Sequence, residues 1–82
     1  MRLYTLDGKC NISGERIKSA RTKAKLTQDQ LAARLQVAGL QMGQMAISRI
    51  ESGKRLVSDF ELPIIAEALN VSTDWLLGIE KE

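Results

Sequence analysis

The sequence predicts an all-α domain, five short helices around one core, with an extended turn between the second and third. Three observations lead there. Eighty-two residues suffice for one small domain and no second core. Apolar residues recur at intervals of three and four, the spacing of a helix face. Candidate starts and stops punctuate the chain: Ser13, Thr27, Ser58 and Ser72 stand before apolar-periodic stretches, and Gly39, Gly53, Asn70 and Gly78 stand after them.

Residues 1–12 read as an N-terminal arm. "RLYTL" alternates weakly, as a short strand or an arm would, and Asp7-Gly8 marks a turn. The domain proper is expected over 13–82. In the first helix, "ERIKSARTKAK", Ser13 is the expected cap. Ile17, Ala20 and Ala24 share the inward face with Arg21 beside them, and Lys18, Lys23 and Lys25 lie on the solvated side. Thr27 opens the second helix with a capping box, since Gln30 lies three residues on, and Leu31, Ala32 and Leu35 form its inward stripe.

That helix is expected to reach about Ala38 and to stop at Gly39. "QVAGLQMG" then separates it from "QMAISRIESG". The alternative is a floppy surface loop, but Val37, Leu40 and Met42 make this stretch more apolar than such a loop usually is, so Leu40 and Met42 are expected to fold back onto the core and Gly43 to enter the third helix. There Ile47 and Ile50 face inward with Ala46 near them. Gln44, Met45, Ser48 and Arg49 face outward, and Gly53 ends the helix. Ser58 and Glu61 spell a second capping box for the fourth helix, whose buried side is Leu62, Ile65, Ala66 and Leu69. Pro63 falls past the first turn of a helix begun there and should bend it or delay its start. Ser72 caps a last short helix, with Trp75, Leu76 and Leu77 closing the core.

Composition excludes much chemistry. The apolar fraction of 44% and mean hydropathy of −0.15 fit a soluble globular chain. With no His and one Cys, the chain has no Ser–His or Cys–His nucleophile pair, no His-based or thiolate metal site and no internal disulfide. Gly39 and Gly43 do not spell a phosphate-binding loop. An enzyme is not expected, nor a metal or other cofactor, a small-molecule ligand or a membrane span. No apolar leader is visible at the start, and the lone Cys10 suits a reducing cytoplasm. The net charge of +2 is unevenly spread: residues 9–55 carry +7 and residues 56–82 carry −5. A basic front is drawn to phosphates, although a merely solvated charged surface would look the same.

"RIKSARTKAKLTQDQLAARL", "AISRIESGKR" and "EALNVSTDWLLG", in that order, resemble the phage-repressor and Cro-type (XRE-like) helix-turn-helix family over about Ser13 to Gly78. The resemblance implies a lambda-repressor-like fold whose third helix lies in the major groove of double-stranded DNA. It implies a sequence-specific transcriptional regulator, with repression the expected mode and a homodimer the expected form on DNA. A bacterial or phage-encoded cytoplasmic protein is implied too. The alternative is an antitoxin-like or other protein-interaction module on the same fold. Carried over by position, Gln44, Met45, Ser48 and Arg49 are the expected base-reading residues. Thr27, Gln28, Lys54 and Arg55 are the expected phosphate contacts, and Arg21 and Glu51 the expected structural ion pair. Gln pairs bidentately with adenine and Arg with guanine, and Met45 can touch a thymine methyl. The chain departs from the family pattern in the turn after the second helix, which is about five residues longer. No separate dimerisation domain is expected after Gly78, so a dimer would use the arm, the last helices or a partner protein.

Overall fold

In a computed structural model, which describes residues 5–80, the order of elements is α1 (Gly14–Lys23), α2 (Gln28–Val37), α3 (Gln44–Glu51), α4 (Glu61–Leu69) and α5 (Thr73–Leu76). Among the described residues there is no strand, only an isolated bridge between Leu6 and Lys9 across an Asp7-Gly8 turn with both φ positive. Most of the "RLYTL" stretch lies outside the described residues.

The core is built from all five helices and the long turn. Ile17, Leu31, Leu35, Ile47, Ile50, Ile65 and Leu76 are its fully buried large side chains. The α3 helix packs on α1 and α2, while α4 packs on α1, α2 and α5. Leu40 and Met42 join the same cluster at 8% and 6% exposure, whereas Val37 points away at 90%.

All five helices end in one way. A residue in the left-handed region follows each, and its N–H and the next one bond back to the last turn, as Gly53 N to Ile50 O and Lys54 N to Arg49 O do after α3. Gly39, Gly53, Asn70 and Gly78 fill this position as expected. The fifth is Lys25, at φ 61, which carries no sequence signal for that conformation. Ala24, just before it, turns outward instead of extending the Ile17–Ala20 face.

The starts differ more from expectation. Thr27 makes the complete capping box with Gln30, and the Ser72 hydroxyl accepts from Trp75 N. Ser13 does not cap α1, because its backbone is already helical (φ −96°, ψ −11°) and its side chain makes no cap bond. Asn11 Oδ1 accepts the Gly14 N–H at 2.8 Å instead. Ser58 contributes half a box: its N–H donates to Glu61 Oε1, but its hydroxyl is buried without a partner. The α4 helix starts later, at Glu61. Pro63 causes this: as third residue of the helix it needs no N–H acceptor, which a helix begun at Ser58 would demand of it. Trp75 and Leu77 are half-buried, and Leu76 alone of that trio sits in the core. Arg16 lies over the Trp75 ring, 5.0 Å from its centre.

Candidate nucleic-acid interface

The site is assembled from the first turns of α2 and α3 and the loop after α3. A single chain of hydrogen bonds crosses it. Arg21 of α1 meets Glu51 of α3 with Nε to Oε2 at 2.7 Å and a second guanidinium N–H to Oε1 at 3.1 Å. The Glu51 side chain is 3% exposed, and Arg21 also donates to the Leu26 carbonyl at 2.7 Å, tying the turn before α2 to the pair. The hydrogen bond to Glu51 raises the Arg21 pKa above its ordinary value, against the cost of burial.

From Glu51 the chain continues outward. Gln28 Nε2 donates to Glu51 Oε1 at 3.0 Å, and Gln28 Oε1 accepts from Gln44 Nε2 at 2.6 Å. The first turns of α2 and α3 are therefore side by side, and the Gln44 amide is oriented from behind. It keeps Oε1 and one N–H for another partner, the acceptor–donor pair that matches adenine. Met45 is 62% exposed rather than tucked into the core, Arg49 is exposed and Ser48 partly so. Gln44, Met45, Ser48 and Arg49 thus share the outward side of α3.

The four residues expected at phosphates differ in freedom. The Thr27 hydroxyl accepts from Gln30 N in the capping box and can still donate its proton. Gln28 has one amide N–H left over. Lys54 is exposed, directly after Gly53. Arg55 is engaged: its guanidinium pairs with both Glu61 oxygens, at 3.0 and 3.1 Å, and donates to the Leu56 carbonyl. This pair was not visible in the sequence, where Glu61 reads only as a capping residue.

The Arg55 hydrogen bond, helped by the Ser58 N–H, holds the Glu61 carboxyl below its ordinary 4.5 despite desolvation. A carboxyl with a depressed folded pKa contributes stability that is present above its unfolded value and is lost as pH falls through its folded value. Thermal melts should therefore show part of the wild-type acid destabilisation below about pH 4.5. Glu61→Gln should flatten that part. Parallel pH profiles for the two proteins would remove Glu61 as a contributor.

The helix-turn-helix family pattern matches residues 17–76. Among solved structures the chain is similar to the P22 c2 repressor protein in complex with synthetic operator 9T in the presence of Tl+. Identity is 28% over 85% of this chain and 98% of that one, with a TM-score of 0.71. No curated protein sequence matches. No helix among the described residues is long and apolar enough to cross a membrane. With the family pattern spanning most of the chain and the fold shared along nearly the whole of that repressor chain, this protein belongs to the phage-repressor-type (XRE-like) helix-turn-helix family of DNA-binding transcriptional regulators.

Proposed function

We propose that this regulator reads a specific double-stranded operator with α3 in the major groove and acts there as a repressor, by binding rather than catalysis. The observation that carries this is the Gln28–Gln44 bond, which sets two helix N-termini side by side and leaves four α3 side chains outward. Helix N-termini offer free N–H groups to phosphates, and the side chains between them meet base edges. The similar repressor structure holds an operator. Gln44, Met45, Ser48 and Arg49 read bases. Thr27, Gln28 and Lys54 hold the backbone, with Arg55 contributing only what its pairing with Glu61 leaves free.

One helix presenting four side chains reads only about three or four base pairs, too few to single out one site among about 10⁶ or more competitors. A homodimer on a two-fold site resolves this, with half-sites about 34–36 Å apart. The reading also places the protein where such DNA lies, in the cytoplasm of a bacterium.

The test is affinity for a duplex selected from a random pool and for its scrambled counterpart, over a salt series. Gln44→Ala and Arg49→Ala should each cost about 1–3 kcal/mol on the selected site and relax preference at particular base pairs. Lys54→Ala should weaken both duplexes alike and lower the salt slope by about one unit. Gln28→Ala, a neutral change, should weaken both without altering the slope, and should also relax preference at the base pair Gln44 reads. Equal losses on both duplexes for Gln44→Ala and Arg49→Ala would mean that α3 reads no bases, and a non-specific binder or protein-interaction module would replace the present reading.

A further inference from the structure

Three carbonyls, one in the last turn of α3 and two in the loop after it, are held by the segment before α1. Asn11 Nδ2 donates to Ile50 O at 3.0 Å and to Arg55 O at 2.8 Å, and Cys10 N donates to Gly53 O at 2.7 Å. The Lys9 methylenes lie where a Gly53 side chain would begin, with Cγ 3.0 Å from that point. Gly53 itself is left-handed, at φ 80. Asn11 Oδ1 meanwhile fixes the start of α1 through Gly14 N, and Gly14 sits so close to the end of α3 that an added Cβ would fall 2.2 Å from Ile50 O. The stretch from Ile50 to Arg55 is thus held by the segment before α1 as well as by its own helix end. Between the clamped carbonyls stands Lys54, whose N–H closes on Arg49 O while its side chain is exposed.

We propose that Asn11 is a positioning residue for DNA binding. Its amide pre-orders the turn that presents Lys54, so that this cation meets a phosphate without the loop first losing conformational freedom. The proposal rests on the DNA-binding reading and adds a residue outside the helix-turn-helix. Without the Asn11 bonds the loop would keep the Cys10–Gly53 bond and the Arg55–Glu61 pair, but its Ile50 and Arg55 carbonyls would be released, and that part would have to be ordered at the moment of binding, at an entropic cost for each residue fixed. Asn suits the task because one amide supplies two donors for the carbonyls and one acceptor for the α1 N-terminus.

Asn11→Ser keeps a small acceptor, cannot span both carbonyls and adds no charge that would itself repel phosphates. Asn11→Thr, of the same chemistry, serves if the serine variant is unfolded. The probe is an arbitrary duplex, since phosphate contacts do not depend on sequence. Binding is measured over a salt series at a temperature where circular dichroism shows each variant fully folded. The variant should bind about tenfold more weakly, the cost of ordering roughly one residue, with a salt slope lower by up to about one unit. In a Lys54→Ala background the same Asn11 substitution should change affinity less than about twofold, because the group it positions is gone. A loss as large in that background as in the wild type would overturn the proposal, and so would an unchanged affinity in the single variant. If the wild-type protein binds no duplex at all, the DNA-binding reading fails first, and the two failures are distinguishable.

Discussion

Arg21→Ala is expected to lower the stability of the domain by about 3–5 kcal/mol, the usual cost of leaving one member of a buried ion pair alone. The number follows from what stays behind. The Glu51 side chain, 3% exposed, loses both guanidinium bonds and keeps only the Gln28 amide. The Leu26 carbonyl, held by the same guanidinium, loses a donor too. For a domain of this size, each kcal/mol corresponds to about 4–8 °C in melting temperature. Chemical denaturation of the two proteins measures the difference directly, and a change below about 0.5 kcal/mol, the ordinary range of surface substitutions, would remove the pair from any structural role. A paired replacement separates net worth from the cost of an orphaned charge. Arg21→Met with Glu51→Leu should recover much of the loss, since a packed apolar pair of similar volume is often no worse than a buried ion pair. The recovered protein should still lack something, because Glu51 also orients Gln28, and Gln28 orients Gln44. Stability restored without restored base preference would show that the ion pair is also the back end of the reading site.

The same contrast explains what was legible in the sequence. Thr27 and Ser72 cap their helices because the chain enters them extended, with ψ near 167° and 155°. Ser13 and Ser58 look alike on paper and do not, for reasons outside their own turns. Asn11 is tied to carbonyls thirty-nine and forty-four residues away and takes the cap of α1 with it. Pro63 shifts the start of α4 past Ser58. Local grammar marks a start to within a few residues, and distant bonds then choose which side chain does the capping. Left-handed stops show the same limit: three Gly and one Asn announce themselves, and Lys25 does not. At the site, outward positions on α3 follow from 3.6-residue periodicity, so Gln44, Met45, Ser48 and Arg49 were legible. The partners of Gln28 and Arg55 were not, because hydrogen bonds between elements leave no periodic trace. Asn11 carried one usable signal, an Asn three residues before the N–H at the head of a basic helix, and it was hidden by the Ser13 that stood closer.

Leu40→Ala is expected to cost about 2–5 kcal/mol, as for a Leu buried in other cores. The extended turn between α2 and α3 looks like an insertion, and insertions in surface loops are usually cheap to alter. Here the turn is built as part of the body. Gly39, at φ 93, ends α2, and Leu40 N bonds back to Leu35 O at 2.8 Å, which aims the Leu40 side chain inward. Met42 follows into the same cluster, and Gly43 leads into α3 in an extended conformation. The longer turn therefore supplies two core residues of its own. Truncating Leu40 removes one and leaves a cavity under the joint that sets the angle between α2 and α3. Val37→Ala, two residues before the stop and 90% exposed, is the control and should change stability by no more than about 0.5 kcal/mol. Melting temperatures of the two variants decide the matter: similar small shifts would make the turn a dispensable loop. A large shift confined to Leu40→Ala, with weaker binding to the selected duplex at temperatures where the variant is still folded, would show that the inserted residues hold the reading helix in place.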